Sequence, residues 1–467
     1  MDVTTIASAA PPPPHPATDG APRVGVEMRV AAGAPTPRRA AIDDALPSWV
    51  TPVVAAVGLV TASVALRSPL PAHHWWGRIA LVGYGAALAV WFLTSSLAHG
   101  PLRTACRTAL GPGLIGVCGL VPLAVLVIGR ARGWHHVAQS EVDVIESAAV
   151  RLVHHGTPYR SSASMTPTEA ADHYSYFPYL PGLAFPGLLR AIAGRHWWTD
   201  SRLVMLAVDV AAFRWAWRRV GRSTRAALLA LAASPLVTLP LAAGGHDVMI
   251  ASLVLVGVVG VGTIGGDTIL GGEPGAGCRP GPMSDVGLGL AASTTLLAWP
   301  LIAPTVWVRR SRHLLAVLGA TAIMIAVPML VDPRATITNV IGFPAGRTPA
   351  HSPADAPSIG RLLRAGPHGP ALAGGFVALV ALGYLLSLWR RPVRSDREAL
   401  ARAAVGFTAL IVAVPAARTG YLLHPTLLGA LWWSSRHSAD RAGPPDFSEI
   451  VDPVATGDSA GPQLRDE

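Results

Sequence analysis

Long apolar runs separated by short polar segments dominate this chain. The runs lie near residues 50–66, 79–97, 112–129, 202–219, 226–243, 247–263, 286–308, 313–331, 370–388, 401–416 and 420–434. A helix needs about 20 apolar residues to cross a bilayer, and most of these runs approach that length. The pattern predicts an all-α, polytopic membrane protein of about 10–12 transmembrane helices.

Arginine clusters between the runs indicate which loops face the cytoplasm, because short cytoplasmic loops are enriched in basic residues. Such clusters lie at 103–107, 218–225, 309–312 and 390–397. The run 286–308 contains Pro300 and Pro304 and is either one kinked span or two short ones. Only two short passes put every cluster inside, which gives twelve spans and cytoplasmic termini.

This topology predicts two long outer loops, at about 130–201 and 332–369. The apolar segment 182–194 is short and broken by Pro186, so we expect an interfacial helix there. The transmembrane domain is predicted to span 48–436. The polar segments on either side, 1–47 and 437–467, are predicted to be cytoplasmic tails, the first disordered and without the apolar stretch of a signal peptide.

Composition supports the membrane assignment. Charged residues make up 14% of the chain and hydrophobic residues 51%, whereas soluble domains carry about 25% charged residues. The net charge of +10 comes from 37 basic residues, all arginine. Because they cluster in short loops, they fit membrane orientation better than nucleic-acid binding. Cys106, Cys118 and Cys278 lack metal-ligand or disulfide spacing and are predicted to be structural.

An acidic helix is predicted in the first outer loop, over residues 141–153. Its apolar stripe consists of Val142, Ile145, Ala149, Leu152 and Val153. Asp143, Glu146 and Ser147 share the other face. Gly156 should end the helix and Pro158 should prevent its resumption. The helix is therefore expected on the outer surface, with its acids facing water or a cavity.

Two interpretations of these acids remain open. Ser140 and Asp143 resemble a capping box, so Asp143 could simply stabilise the start of a helix. Alternatively, a carboxylate could act as a general base, because a sugar hydroxyl is a poor nucleophile until a positioned group takes its proton.

Four motifs in order carry a resemblance to known enzymes. They are DVIESAAVRLVHHGTPY at 143–159, YSYFPYLP at 174–181, GGHD at 244–247 and RTGYLLHP at 418–425. Over about 112–434 the chain resembles the GT-C superfamily of membrane glycosyltransferases. It is most similar to the bacterial polyprenyl-phosphate-mannose-dependent mannosyltransferases, of the glycosyltransferase 87 type.

The resemblance implies an enzyme of the cell membrane, with its active site on the outer face. It would move a hexose, which is mannose in the most similar enzymes, from a polyprenyl-phosphate sugar to a glycolipid or polysaccharide acceptor, with inversion. The catalytic base of these enzymes is an acid in the first large outer loop. Carried onto this chain it is Asp143, with Glu141 and Glu146 as fallbacks.

The resemblance also implies substrate-binding residues. Arg418 is the main candidate for the donor phosphate, with Arg202 and Arg151 as alternatives. Related enzymes often carry a lysine in the stretch matching 289–300, where this chain has Thr294 and Thr295. The remaining candidates are His246 and Asp247, which could line the cavity or form a tight turn, and Tyr159, Tyr174 and Tyr176, which could stack on substrate or form an interface belt.

No metal site or certain cofactor is predicted, although metal dependence stays open. The adjacent pairs His135/His136 and His154/His155 lack the spacing of helical metal ligands. The alternative function is a membrane transporter or lipid flippase without catalysis. It predicts internal repeats with paired broken helices, and none is detected.

Overall fold

The computed structural model describes residues 50–97, 100–259, 282–309, 311–354 and 356–441. Within these residues the regular structure is helical, without strands, which confirms the predicted all-α class. The tail predicted at 1–47, most of the tail predicted from 437 and Cys278 lie outside the described residues.

The helices of the described residues fall into long apolar helices and shorter connecting ones. In chain order they are α1 (Val50–Ala65), α2 (Pro71–Ser95), α3 (Pro101–Ala131, with a π-helical turn at Ile115–Leu120), α4 (Ser140–His155), α5 (Pro167–Ala171), α6 (Leu188–Ala193), α7 (Ser201–Trp217), α8 (Arg222–Ala233), α9 (Pro235–Ala243), α10 (Asp247–Val259), α11 (Pro282–Thr294), α12 (Trp299–Arg309), α13 (Arg312–Val331), α14 (Pro333–Ile337), α15 (Ile359–Arg364), α16 (Gly369–Arg390), α17 (Asp396–Ala413) and α18 (Leu423–Arg441). Short 3₁₀ turns lie at Ser162–Ser164, His173–Ser175, Pro181–Gly187, Trp197–Thr199, Leu296–Ala298 and Thr419–Leu422, and a further π-helical turn at Thr338–Gly342.

Among the described residues, four helices are long and apolar enough to cross a membrane: α2, α3, α13 and α16. A fifth is possible if α8 and α9, which meet at a bend of 50°, together form one span. Further apolar helices, including α1 and α10, are shorter than a span of about 20 residues. The structure supports a multi-pass membrane protein.

The run at 286–308 is divided into two helices. Helix α11 ends at Thr294, and the Thr295 side chain accepts a hydrogen bond from the Leu297 amide at 3.2 Å to start the next turn. The Thr294 carbonyl oxygen accepts a hydrogen bond from the Leu180 amide at 3.0 Å. The break therefore brings the first outer loop against this part of the bundle.

Helix α4 packs against loops rather than lying on an open surface. It packs on the 3₁₀ turn Pro181–Gly187, where a Cβ on Gly187 would lie 2.9 Å from the Glu146 Cα atom. The segment predicted as an interfacial helix is therefore buried in its first half. Gly156 ends α4 in the left-handed region with φ of 70°, as predicted.

The polar face of α4 differs from the expectation. Val142, Ile145 and Ala149 are buried as predicted, but Val153 is exposed. Glu141 and Glu146 are also buried. The residue that precedes the helix is Gln139, which makes no side-chain capping bond, so Ser140 and Asp143 do not form a capping box. These acids therefore need partners from the rest of the fold.

Candidate active site

The three acids of α4 face two different regions. Successive residues of a helix are rotated by about 100°, so Glu141 and Asp143 point to nearly opposite sides while Asp143 and Glu146 share one. Asp143 and Glu146 contact Arg130 at the end of α3. Glu141 forms an ion pair with Arg418, which lies between α17 and α18.

The group of Arg130, Asp143, Glu146, Arg190 and Asp200 is called the ion cluster below. Arg130 contacts Asp143 at 2.5 Å, both oxygens of Glu146 at 2.8 Å and Asp200 at 3.0 Å. Arg190 contacts Glu146 at 3.0 Å. Each carboxylate of the cluster has a guanidinium partner, which is the condition for burying charge at tolerable cost.

Arg202 holds Asp200, a member of the ion cluster, in place. Its Nε donates to Asp200 at 2.8 Å and its Nη1 to the Val137 carbonyl oxygen at 3.1 Å, and its side chain is 1% exposed. Burial alone would raise the pKa of Asp200, but hydrogen bonds and attraction from Arg202 and Arg130 lower it to about 2. Arg202 is thus committed to Asp200. A role in binding the donor phosphate stays an untested prediction.

The central cavity, of about 480 Å³, is bounded by the first residues of α4, the start of α10 and the loop before α18. Glu141, Asp247 and Arg418 line it, together with Tyr174 and Gly420. Partial burial lowers the pKa of Arg418, whose side chain is 23% exposed. The structure therefore brings together four of the predicted site residues: Glu141, Asp247, Arg418 and Tyr174.

Asp247 lies between His246 and His424, and these three residues are called the histidine–aspartate cluster. A ring nitrogen of each histidine is 3.8 Å from the Asp247 Oδ1 atom, too far for a hydrogen bond. In the described part of the chain, that oxygen and all four ring nitrogens have no hydrogen-bond partner. Burial lowers the pKa of His246, an effect that Asp247 partly offsets.

An apolar groove of about 300 Å³ approaches Arg418 from the other side. Its lining includes Leu180, Leu296, Val340, Phe343, Val377, Leu410 and Val414, with Arg418 and Tyr421 at its polar end. Between the groove and the central cavity is a narrow neck of about 20 Å³, lined by Glu141, Tyr179 and Arg418 among others. Arg418 thus borders both spaces, and Glu141 lies where they meet.

The three predicted tyrosines have different surroundings. Tyr159 is buried, and its hydroxyl donates to the Tyr179 carbonyl oxygen at 2.9 Å. Tyr176 stacks on Phe343 with ring centroids 4.9 Å apart and borders the neck. Tyr174 lines the central cavity and is more exposed. Tyr176 is also buried, at 1% exposed, and its hydroxyl donates to the Ala170 carbonyl oxygen at 2.9 Å, so of these three tyrosines Tyr174 is the one exposed at a cavity.

Arg151, the other alternative for the phosphate, donates to the Pro158 carbonyl oxygen at 2.8 Å and holds the turn after α4. Burial lowers its pKa to about 10. Within the described ranges, no group of three or more histidine, cysteine, aspartate or glutamate residues is arranged to hold a metal ion.

Sequence analysis missed several residues of these regions. Arg130 follows directly after the apolar run 112–129 and was not among the predicted site residues, and neither was His424. The partners of Arg130 are 13 and 70 residues away in the chain, so local spacing carries no signal for them. An arginine at the very end of an apolar run is the one hint, since the charge of its guanidinium is costly to bury there without a partner.

Fold and site together define an all-α membrane protein with a buried carboxylate–arginine pair between a polar cavity and an apolar groove. The chain matches the model of glycosyltransferase family 87 over residues 177–415, which is just over half of its length. It belongs to this family and is a glycosyltransferase. Neither the curated proteins nor the solved structures gave a match. The matched region includes Asp247 and begins after α4.

Proposed function

We propose that this glycosyltransferase moves a hexose, mannose in the enzymes it resembles, from a polyprenyl-phosphate sugar to a glycan acceptor on the outer side of the membrane. The observation that carries the proposal is the position of Arg418. It borders the apolar groove, which suits a prenyl chain, and the polar cavity, which suits a sugar. A lipid-linked sugar needs both environments, with a cation at the phosphate that joins its two parts.

The geometry favours Glu141 as the base. It is buried in the neck beside Arg418, where the phosphate–sugar bond of the donor would lie in this proposal. Asp143 faces the other side of α4 and is held by Arg130. Asp143 as the base stays a prediction, but Glu141 becomes the preferred candidate, and Glu146 is the least accessible because two arginines hold it.

The proposed step is an inverting displacement. An acceptor hydroxyl attacks the anomeric carbon, and its proton passes to Glu141. The bond from the anomeric carbon to the phosphate oxygen breaks, and the electron pair leaves with the polyprenyl phosphate. That phosphate gains a negative charge, which the Arg418 guanidinium can stabilise with two parallel hydrogen bonds.

The ion pair between Glu141 and Arg418 couples these events. As Glu141 takes up the proton it loses its charge, and at the same moment the phosphate gains one. Arg418 can therefore transfer its attraction from the carboxylate to the phosphate without any change in the total charge of the site. The attraction between these charges is strong only where the dielectric constant is low. Glu141 lies in such an environment, because it is only 4% exposed.

The histidine–aspartate cluster supplies the remaining polar groups of the cavity. Buried polar atoms without partners call for an explanation, and sugar hydroxyls can both donate and accept. We assign Asp247 to hydroxyls of the transferred sugar, since it lines the cavity, with His246 and His424 flanking it at 3.8 Å. Tyr174 and Tyr176 would border the sugar.

The proposal is tested with Glu141→Gln, which keeps the shape of the side chain and removes the base. Membranes carrying it are assayed with radiolabelled polyprenyl-phosphate mannose and an endogenous glycan fraction. We expect turnover to fall by about 10²–10⁴-fold, the range for loss of a general base. Glu169→Gln removes a charge from the same loop at a residue that lines none of these cavities, belongs to its own capping box and pairs with Arg160, and it serves as the matched control.

Two outcomes would contradict the assignment. If Asp143→Asn abolishes transfer while Glu141→Gln leaves it intact, the base is Asp143. If the wild-type membranes transfer no sugar from polyprenyl-phosphate mannose, glucose or galactose, the donor class is wrong.

A further inference from the structure

Two more polar cavities lie on the Asp143 side of α4. The inner one, of about 300 Å³, is lined by Arg130, Trp134, His135, His136, Asp143 and Tyr174, among others. The outer one, of about 340 Å³, adds Arg190, Arg195, His196, Trp197 and Asp200 to Arg130, Trp134, His135 and Asp143. The mechanism above uses neither cavity, although together they exceed the volume of the central one.

These cavities adjoin the central cavity and share lining residues with it. His136, Ala138 and Tyr174 line both the central and the inner cavity. Arg130 and Asp143, with Trp134 and His135, line both the inner and the outer cavity. The three spaces therefore lie next to one another in series around the first turn of α4, starting at Glu141, and this series is called the polar trough.

A strained residue lies where the trough leaves the central cavity. His136 has a φ of 55°, the one positive value for a residue other than glycine among the described residues. Such backbone conformations are costly, and they cluster at ligand sites, where the surroundings hold them. The strained backbone at His136 is what we expect of a segment that lines a ligand-binding cavity.

The lining of the outer trough combines both signs of charge with aromatic faces. Arg130 and Arg190 face Asp143, Asp200 and the neighbouring Glu146, so these two guanidinium charges are already balanced, and Arg195 adds one more cation to the lining. A bound anion would have to compete with these carboxylates. An uncharged, hydroxyl-rich molecule would not, because its hydroxyls can donate to the carboxylates and accept from the arginines at once. Tryptophan faces suit the apolar side of a sugar ring.

We propose that the polar trough binds a glycan acceptor of several sugar units. The end that receives the hexose reaches Glu141 in the central cavity, and the preceding units lie along the trough past Asp143 toward Trp197. This inference rests on the proposed function and names its acceptor class: an existing glycan chain that the enzyme extends. In this arrangement Asp143 binds the acceptor.

The test is a binding experiment that needs no donor. The purified full-length protein in lipid nanodiscs is titrated calorimetrically with mannose, glucose and galactose oligomers of one to five units. For at least one series, affinity should rise at least about tenfold between one and four units, since each added unit finds new contacts. A matched pair of adjacent exposed tryptophans supplies the control: Trp197 lines the trough, whereas Trp198 stacks on His196 and does not line it.

Trp197→Ala should weaken the longer oligomers about 5- to 10-fold and leave the monosaccharide unchanged, because it removes a distant contact only. Trp198→Ala should behave as wild type. Affinity that does not depend on length in any series, or equal losses in both variants, would overturn the proposal. Binding at the trough that is seen only with anionic lipid in the nanodisc would also overturn the proposal, because the trough would then be a site for a lipid headgroup. If the donor class is wrong, sugar transfer fails while length-dependent glycan binding persists.

Discussion

The two sides of α4 differ in how their buried charges are satisfied. In the ion cluster every carboxylate has a guanidinium partner, and Glu146 has two. In the histidine–aspartate cluster the Asp247 Oδ1 atom and the ring nitrogens have no hydrogen-bond partner among the described residues. A closed network holds structure together, whereas unpartnered buried groups at a cavity await a ligand. The ion cluster therefore serves as the structural scaffold around α4, and the histidine–aspartate cluster belongs to the candidate active site.

A single helix turn produces this division. Glu141 and Asp143 are two residues apart, so the helical rotation sends one toward Arg418 and the other toward Arg130. The ion cluster fixes the orientation of α4, and that orientation directs Glu141 into the neck. Acids that look equivalent in the sequence therefore have different roles in the fold.

The largest effect is expected when the scaffold side is broken. Glu146→Ala removes the acid that holds both Arg130 and Arg190, and should lower the free energy of unfolding by about 3–5 kcal/mol, because buried guanidinium groups lose their partner. Thermal or denaturant unfolding of the detergent-solubilised protein measures this loss.

Asp143→Asn is the matched comparison for stability, because Asp143 shares Arg130 but its side chain is 46% exposed. Its loss should stay within about 1 kcal/mol, as for exposed pairs. If the two variants lose equal stability, the ion cluster is not the scaffold described here.

A somewhat smaller effect is expected on the site side. Arg418→Ala should reduce sugar transfer by about 10²–10³-fold, the range for losing one group that stabilises developing negative charge. Arg418→Lys keeps the charge without the paired donors and should be intermediate. Arg402→Ala, which breaks an ion pair with Glu398 in α17, is the control and should retain transfer. Retained transfer in Arg418→Ala would contradict the phosphate role.

The smallest effect concerns pH. Burial holds the pKa of His246 below its ordinary value of 6.5. Below that value the unfolded chain takes up a proton that the folded state resists, so stability is full above about pH 6.5 and declines as the pH falls. Unfolding at pH 7.5 and 5.5 should show a smaller decline for His246→Gln than for wild type. An equal decline in both would show that His246 does not titrate on unfolding.

Much of the fold follows from local patterns. Apolar runs produced the helices, Gly156 ended α4, and the run at 286–308 is divided into two helices. These features depend on periodicity, turn residues and charge placement, which neighbouring residues determine. The extent of burial around α4 could not be seen in this way, because it depends on the turn at Pro181–Gly187 folding beneath the helix.

The sequence by itself determined the class of protein and the segment that carries its acids: an all-α membrane protein with the motifs of a glycosyltransferase. Only the tertiary structure decided which acid meets Arg418, which residues balance Arg130 and which cavities adjoin. Those pairings connect residues far apart in the chain, such as Glu141 with Arg418, and they arise when helices pack. The rotation of one helix against its neighbours is a property of the whole bundle, which no local spacing encodes.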